Sequence, residues 1–174
     1  VGFSVKQQPI KAIQFGEGNV KILIWSQMHG NESTTTKGLI DYLNFLHHNE
    51  NEFETISKLV TFYIIPILNP DGAAAYTREN ANGVDLNRDA FECTQPESKV
   101  LRTVLETFTP DYCFNLHDQR TIFGLLESQK PATMSFLTAS YNEAQTFNSV
   151  REEAAAVVVG INNELQKYIP NQVG

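Results

Sequence analysis

VKILIWSQMHGNE, running from Val20 to Glu32, decides how this chain is read. In its first half, Lys21 to Ser26 is a near-continuous apolar run, as expected of a strand buried on both faces of a sheet. Its second half turns polar at Gln27-Met28-His29-Gly30-Asn31-Glu32. Directly behind it, Leu39, Ile40, Leu43 and Leu46 recur at helical spacing, which predicts a helix over Thr34–His47 with one apolar face. A buried strand, a polar turn and an amphipathic helix form the unit from which α/β sheets are assembled.

The same alternation extends in both directions. Ala12–Phe15 reads as the partner of Val20–Trp25 in a hairpin around Gly16-Glu17-Gly18-Asn19. Val60–Leu68 reads as a second buried strand, stopped by the turn signature Asn69-Pro70-Asp71-Gly72. Pro96 suits a first helical position, with Val100, Leu101, Val104, Leu105 and Phe108 as the buried stripe behind it. Asp111–Leu116 is a third short strand running into His117. Ser149 with Glu152 fits a capping box, opening a helix whose inner side carries Val150, Val157, Val158, Ile161 and Leu165. Pro170 limits that helix. The expected fold is α/β, a mixed and largely parallel central sheet flanked by helices, in one domain over residues 1–174. In such sheets functional groups gather in loops at the carboxyl ends of strands.

Charge and composition narrow the partners. The chain has 174 residues, with 13 Lys and Arg against 20 Asp and Glu, a formal net charge of -7. Nucleic acid and anionic membrane both reward a basic surface, so neither is expected as a partner. Hydrophobic and charged fractions of 41% and 19% are those of a folded globular protein. The apolar runs are too short to span a bilayer. No charged n-region and h-region opens the chain, so no signal peptide is expected, although the start at Val1 fits a fragment. Cys93 and Cys113 read as two buried, unpaired thiols.

Three polar clusters interrupt the apolar pattern. In the first, His29 and Glu32 are three apart, so a turn or helix start places both side chains on one side. Imidazole and carboxylate together suit zinc, which takes mixed nitrogen and oxygen ligands. By itself H-x-x-E is common by chance. The second cluster is Asn69-Pro70-Asp71-Gly72, then Arg78, then Val84-Asp85-Leu86-Asn87-Arg88. Arginine presents a planar fork that grips a carboxylate through two parallel hydrogen bonds. The third is Asn115-Leu116-His117-Asp118, where His117 completes His29 and Glu32 as a three-ligand set with a fourth position open. That is the pattern of a catalytic zinc site. His47 and His48 fall on late turns of a predicted helix and read as surface residues.

Taken together, these residues resemble the zinc carboxypeptidase family of metallopeptidases, whose members carry H-x-x-E, N-P-D-G, an N-R pair and a later lone histidine in this order. The resemblance runs from about Val20 to Asp118. It implies that His29, Glu32 and His117 bind one zinc ion and that Asp85 orients His29. It further implies that Asn87 and Arg88 hold the free C-terminal carboxylate of a peptide substrate. Arg78 matches the arginine that polarises the scissile carbonyl. The implied reaction is hydrolysis of the C-terminal peptide bond by metal-activated water.

The family's general-base glutamate, well downstream of the last zinc histidine, has no counterpart in a matching setting. Glu127, Glu143, Glu152, Glu153 and Glu164 all differ in context, and Tyr168 is a poor match to the family's capping tyrosine. The expectation is a catalytic domain incomplete at its C-terminus, which binds zinc and hydrolyses peptides poorly. Two alternatives stand beside it: a zinc-dependent deacylase of N-acyl amino acids, and a non-catalytic zinc-loaded module that binds peptides.

Overall fold

Residues 1–119, 124–125 and 130–173 are described by the computed structural model, and they fall into two compact units, Val1–Asp118 and Gln119–Gly174. The first unit is built on a four-stranded sheet. Its strands are β3 (Ile13–Phe15), β4 (Val20–Ser26), β5 (Val60–Ile65) and β6 (Tyr112–Leu116), in the order β3-β5-β4-β6. A two-stranded antiparallel ribbon of β1 (Gly2–Phe3) and β2 (Pro9–Ile10) precedes them. Strand β4 runs parallel to both β5 and β6, whereas β3 is antiparallel to β5. The mixed, largely parallel sheet of an α/β fold is therefore present.

The expected hairpin of Ala12–Phe15 with Val20–Trp25 is not. Strand β5 lies between the two, so β3 pairs with β5, Gln14 opposite Tyr63. The Gly16–Asn19 segment passes across the start of β5 instead of folding tightly back. Glu17 N donates to the Ser57 carbonyl and Thr61 Oγ1 to the Gly18 carbonyl. Gly16, at φ +88, is required here, because a Cβ would stand 2.1 Å from the Val60 carbonyl oxygen.

Alternate residues of the strands point to opposite faces. On one face Leu23 and Ile65 join Ile10, Met28, Leu68 and Leu86, with Val104 and Phe108 from α4 (Pro96–Phe108). On the other, Phe62 and Ile64 pack with Leu39 of α1 (Thr34–His48) and, at the margin, Ile56 of α2 (Glu50–Leu59). Helix α1 follows its predicted span. Helix α2 has an apolar pattern too sparse to announce itself, and it has no buried residue.

Asn69-Pro70-Asp71-Gly72, expected as a turn, opens the short helix α3 (Pro70–Ala75). Asn69 Oδ1 accepts from Gly72 N, and proline at the first helical position lacks only an N–H that would find no partner there. The second strand accordingly ends at Ile65, not Leu68.

In the second unit, α5 (Ser149–Leu165) is capped by Asn148, whose Oδ1 accepts from Arg151 N, so Ser149 is the first helical residue and not the cap. Val157, Val158, Ile161 and Leu165 are half-buried, but Val150, on the same side in the first turn, is 72% exposed. Both cysteines are free, as expected, but neither is buried: Cys93 is half-buried and Cys113 is exposed on the last strand of the sheet. Among the described residues no helix is long and apolar enough to cross a membrane. Glu127 lies outside the described residues.

Candidate metal centre

Parallel pairing of β4 and β6 places Ser26 opposite Leu116, so the segments leaving both strands emerge at the same end of the sheet. Gln27 turns the first of them with φ +50, a left-handed conformation unusual for a side chain larger than glycine. Its amide stabilises the turn: Nε2 donates to the Gly30 carbonyl, and Oε1 accepts from Thr36 Oγ1.

The N-P-D-G segment is the shelf on which H-x-x-E rests. Asn69 Nδ2 donates to the Met28 and Glu79 carbonyls, and Asn31 N donates to the Thr77 carbonyl. Gly30 lies so close to Gly72 that a Cβ would meet the Gly72 carbonyl carbon at 2.0 Å. Glycine at position 30 is therefore a packing requirement. It joins the first and second motifs into one object.

On that shelf His29, Glu32 and His117 converge. Each offers one ligand atom, and those atoms lie within 4.8 Å of one another. His29 Nδ1 is 3.1 Å from Glu32 Oε1, and His117 Nδ1 is 2.8 Å from Glu32 Oε2. His29 is almost fully buried, while Glu32 and His117 are half-buried. Behind His29, Asp85 Oδ1 stands 3.0 Å from Nε2. Each ring nitrogen of His29 therefore faces a carboxylate oxygen, which can only accept; with a cation on Nδ1, Nε2 would keep the proton and donate it to Asp85.

Both carboxylates are held ionised. Burial pushes the Glu32 carboxyl up, but the His117 hydrogen bond and the charge and hydrogen bond of His29 outweigh it, and the net shift is downward. Burial likewise opposes ionisation of Asp85. Its contacts with His29, the Asn87 N–H and Arg78 reverse that effect. Two imidazole nitrogens and a carboxylate thus converge at hydrogen-bond distance, where one cation could take the place of the protons between them. The donor set, two imidazole nitrogens and a carboxylate, is the one zinc takes when a fourth position stays open.

Arg78 borders the same cluster. Its Nε and Nη2 reach Asp85 Oδ2 at 3.1 and 3.0 Å, and Nη1 reaches Glu32 Oε1 at 3.3 Å. Leu86, fully buried, pins the next segment into the core. Asn87 N donates to Asp85 Oδ1, and its side chain is half-buried. Arg88 is exposed and has no carboxylate partner among the described residues.

A model of the zinc carboxypeptidase family matches residues 1–162. The chain belongs to the zinc carboxypeptidase family. Carboxypeptidase SOL1 of Arabidopsis thaliana is 34% identical over 91 residues, which is 45% of this chain and 18% of that protein. A metallo-carboxypeptidase from Pseudomonas aeruginosa, solved with (2-guanidinoethylmercapto)succinic acid, superposes with a TM-score of 0.59 at 25% identity, over 67% of this chain and 33% of that one. Carboxypeptidase A from Helicoverpa armigera shares the fold, with a TM-score of 0.70 at 18% identity over 91% of this chain and 46% of that one. This zinc carboxypeptidase chain thus spans less than half the length of each of these relatives.

Some residues that build the centre of this zinc carboxypeptidase chain are silent in its sequence. Asp118 caps α1 from 84 positions away: Oδ1 accepts from Thr34 N at 2.9 Å, and Oδ2 accepts from Thr34 Oγ1 at 3.0 Å. The nominal cap Ser33 makes no side-chain bond. Asn80, Gln95 and Glu97 form a buried polar cluster beneath the Asp85–Arg88 segment. The proline before Glu97 marks a helix start, but nothing in the local pattern announces a buried carboxylate there.

Proposed function

We propose that this chain carries the metal-binding and substrate-anchoring part of a zinc metallocarboxypeptidase acting on peptides with a free C-terminus. The observation that carries this reading is the convergence of His29, Glu32 and His117 with Asp85 behind His29. In it, His29, Glu32 and His117 hold zinc. When bound, zinc supplies a Lewis acid for the scissile carbonyl and lowers the pKa of water to about 7.

The chain's own residues do the remaining work. Asp85 fixes the His29 tautomer and ring direction, as carboxylates behind metal-bound histidines do. Arg78, already turned toward Glu32 and Asp85, brings a positive charge to the place where an oxyanion develops. Asn87 and Arg88 anchor the terminal carboxylate, and a free guanidinium suits a bidentate grip. The guanidino derivative of succinic acid held by the Pseudomonas aeruginosa protein carries carboxylates of the kind such an anchor takes. That anchor confines reaction to one peptide bond.

Among the described residues, the carboxylates brought to the site are all occupied. Glu32 faces both histidines, Asp85 holds His29 and Arg78, and Asp118 caps α1. None is free to take a proton from water, so turnover by this chain is expected to be low, by the ~10²–10⁴-fold a positioned general base contributes. The test of the reading is calorimetry on the zinc-loaded chain with one hippuryl-type peptide as free acid and as amide. The free acid should bind more tightly. Equal affinity for the two would refute the anchor, and a chain that takes up no zinc would refute the metal centre.

A further inference from the structure

Glu97 is the one carboxylate of the first unit that is completely buried, at 0% exposure, and the mechanism above makes no use of it. It occupies the second position of α4, where the helix dipole favours negative charge. Both oxygens are engaged. Oε1 accepts from Val5 N at 3.1 Å, and Oε2 accepts from Asn80 Nδ2 at 3.0 Å.

Asn80 shapes the loop that leads into the site. Its Oδ1 accepts from Asn82 N and Val84 N, and its backbone N–H donates to the Val84 carbonyl. The residue after Val84 is Asp85, which faces His29 and Arg78. Gln95 Oε1 accepts from the side chains of both Asn80 and Asn82. At the other end of the segment, Asp89 accepts from Thr94 N and Gln95 N. Asp85–Arg88 is thus suspended at both ends from the start of α4, and the Asn80–Glu97 bond is the innermost tie.

We propose that Glu97 is a positioning residue: through Asn80 its buried carboxylate sets the Asp85–Arg88 segment against His29 and Arg78. This deepens the zinc carboxypeptidase reading and rests on it for the metal, but the contact it predicts between Asp85 and His29 exists without metal. Geometry of that kind has a narrow tolerance, because a histidine ligand is oriented only while its partner stays within hydrogen-bond distance. Asn80 Nδ2 donates to Glu97 and to the neutral Gln95 Oε1, so removing the Glu97 acceptor leaves one of its two buried N–H bonds unmatched and loosens the turn.

The experiment compares the unsubstituted chain with Glu97→Gln, Asn80→Asp and the double substitution. Glu97→Gln keeps an oxygen for Val5 N, and Asn80→Asp keeps an oxygen for Asn82 and Val84. Each single change spoils the bond between the two side chains, and the pair together restores it with donor and acceptor exchanged; Asn80→Asp also withdraws one of the two amides that donate to Gln95 Oε1, leaving that of Asn82. In the metal-free chain, nitrogen NMR of the His29 ring reports the hydrogen bonding of its two nitrogens. In the loaded chain, chelator competition reports zinc affinity. Thermal melting controls for folding.

The singles should shift the His29 Nε2 signal, as its contact with Asp85 loosens, and weaken zinc about tenfold, the lower end of what loss of such support costs. The double should recover both signals. Singles that melt earlier yet keep the His29 Nε2 signal and the zinc affinity would overturn the proposal and leave Glu97 a residue of the fold alone. A double that recovers neither signal would overturn it as well. If the unsubstituted chain takes up no zinc, the metal reading falls, and the His29 spectrum still decides the role of Glu97. Should Glu97→Gln not fold, Asn80→Ser carries the same readouts, with the same two outcomes.

Discussion

Asp85 and Arg88 stand three residues apart on one short segment and are used in opposite ways. Asp85 is half-buried and engaged on every side, by the His29 ring, the Asn87 N–H and the Arg78 guanidinium. Arg88 projects into solvent with no carboxylate partner among the described residues. A group that orients a metal ligand must have its charge matched inside the protein, or the ligand would drift. A group meant to meet a substrate carboxylate must arrive unmatched, or the substrate would have to displace an internal partner. Buried Leu86 between them keeps the two roles apart by fixing the direction of each neighbour.

The harshest way to break the inner half of this comparison is His29→Ala. It removes one of three ligands and the partner of Asp85, so zinc content after dialysis should fall from about one per chain to nearly none. Retention of zinc in that variant would refute the ligand set. Because protons compete with the metal for its ligands, uptake should also weaken in acid.

The outer half is broken by Arg88→Ala. It should abolish most of the preference for a free-acid peptide over its amide, by about 2–5 kcal/mol, since the carboxylate would then lack its charged partner. Stability should barely change, because Arg88 contributes no internal ion pair. A large drop in melting temperature would show that Arg88 serves the fold.

Asp89, directly after Arg88, sharpens the contrast, since this carboxylate is satisfied by neutral donors alone. Burial opposes its ionisation, but Thr94 Oγ1 and the backbone N–H groups of Thr94 and Gln95 hold its pKa at about 2, below the ordinary 3.8. A depressed pKa contributes stability that is complete above the unfolded value and lost as pH falls through the folded one. The contribution is at most roughly 2 kcal/mol. Acid unfolding followed by circular dichroism should therefore steepen between pH 3.8 and about 2, and Asp89→Asn should flatten that limb. Identical acid limbs would remove Asp89 from the support of the anchor.

The smallest effect is expected at the cap. Asp118→Ala deprives α1 of its N-terminal acceptor and should cost about 1 kcal/mol of stability, read from denaturant melts. Zinc affinity should fall less than in any ligand variant. A loss of zinc as complete as in His29→Ala would make Asp118 part of the centre itself.

Much of the frame was legible in order and type. The apolar run of Val20–Ser26 became the central strand, the Leu39 periodicity became α1, and Pro96 opened α4 where proline is tolerated. Where expectation failed, a distant neighbour won over a local signal. Gly16 to Asn19 reads as a hairpin turn, yet β5 inserts between β3 and β4, because a pair of short apolar strands gains more from a shared central partner than from each other. Asn69-Pro70-Asp71-Gly72 reads as a turn, yet the Asn69 side chain and the proline together start a helix, and Gly72 meets Gly30.

By itself the sequence determined the kinds of chemistry present and their order along the chain: H-x-x-E after a strand, N-P-D-G after a second, an N-R pair, and a histidine after a third. Residue type and short spacing depend on neighbours a few positions away, so they survive in one dimension. The tertiary structure decided which atoms face each other. His29 meets Asp85 across 56 positions and His117 meets Glu32 across 85. Those distances follow from the parallel register of β4 with β5 and β6, set by burial on both faces of the sheet. The same holds for Glu97, whose carboxylate is buried because Val5 and Asn80 arrive from elsewhere to satisfy it. Hydrogen-bond partners for a buried charge are assembled in three dimensions, and no local pattern records them.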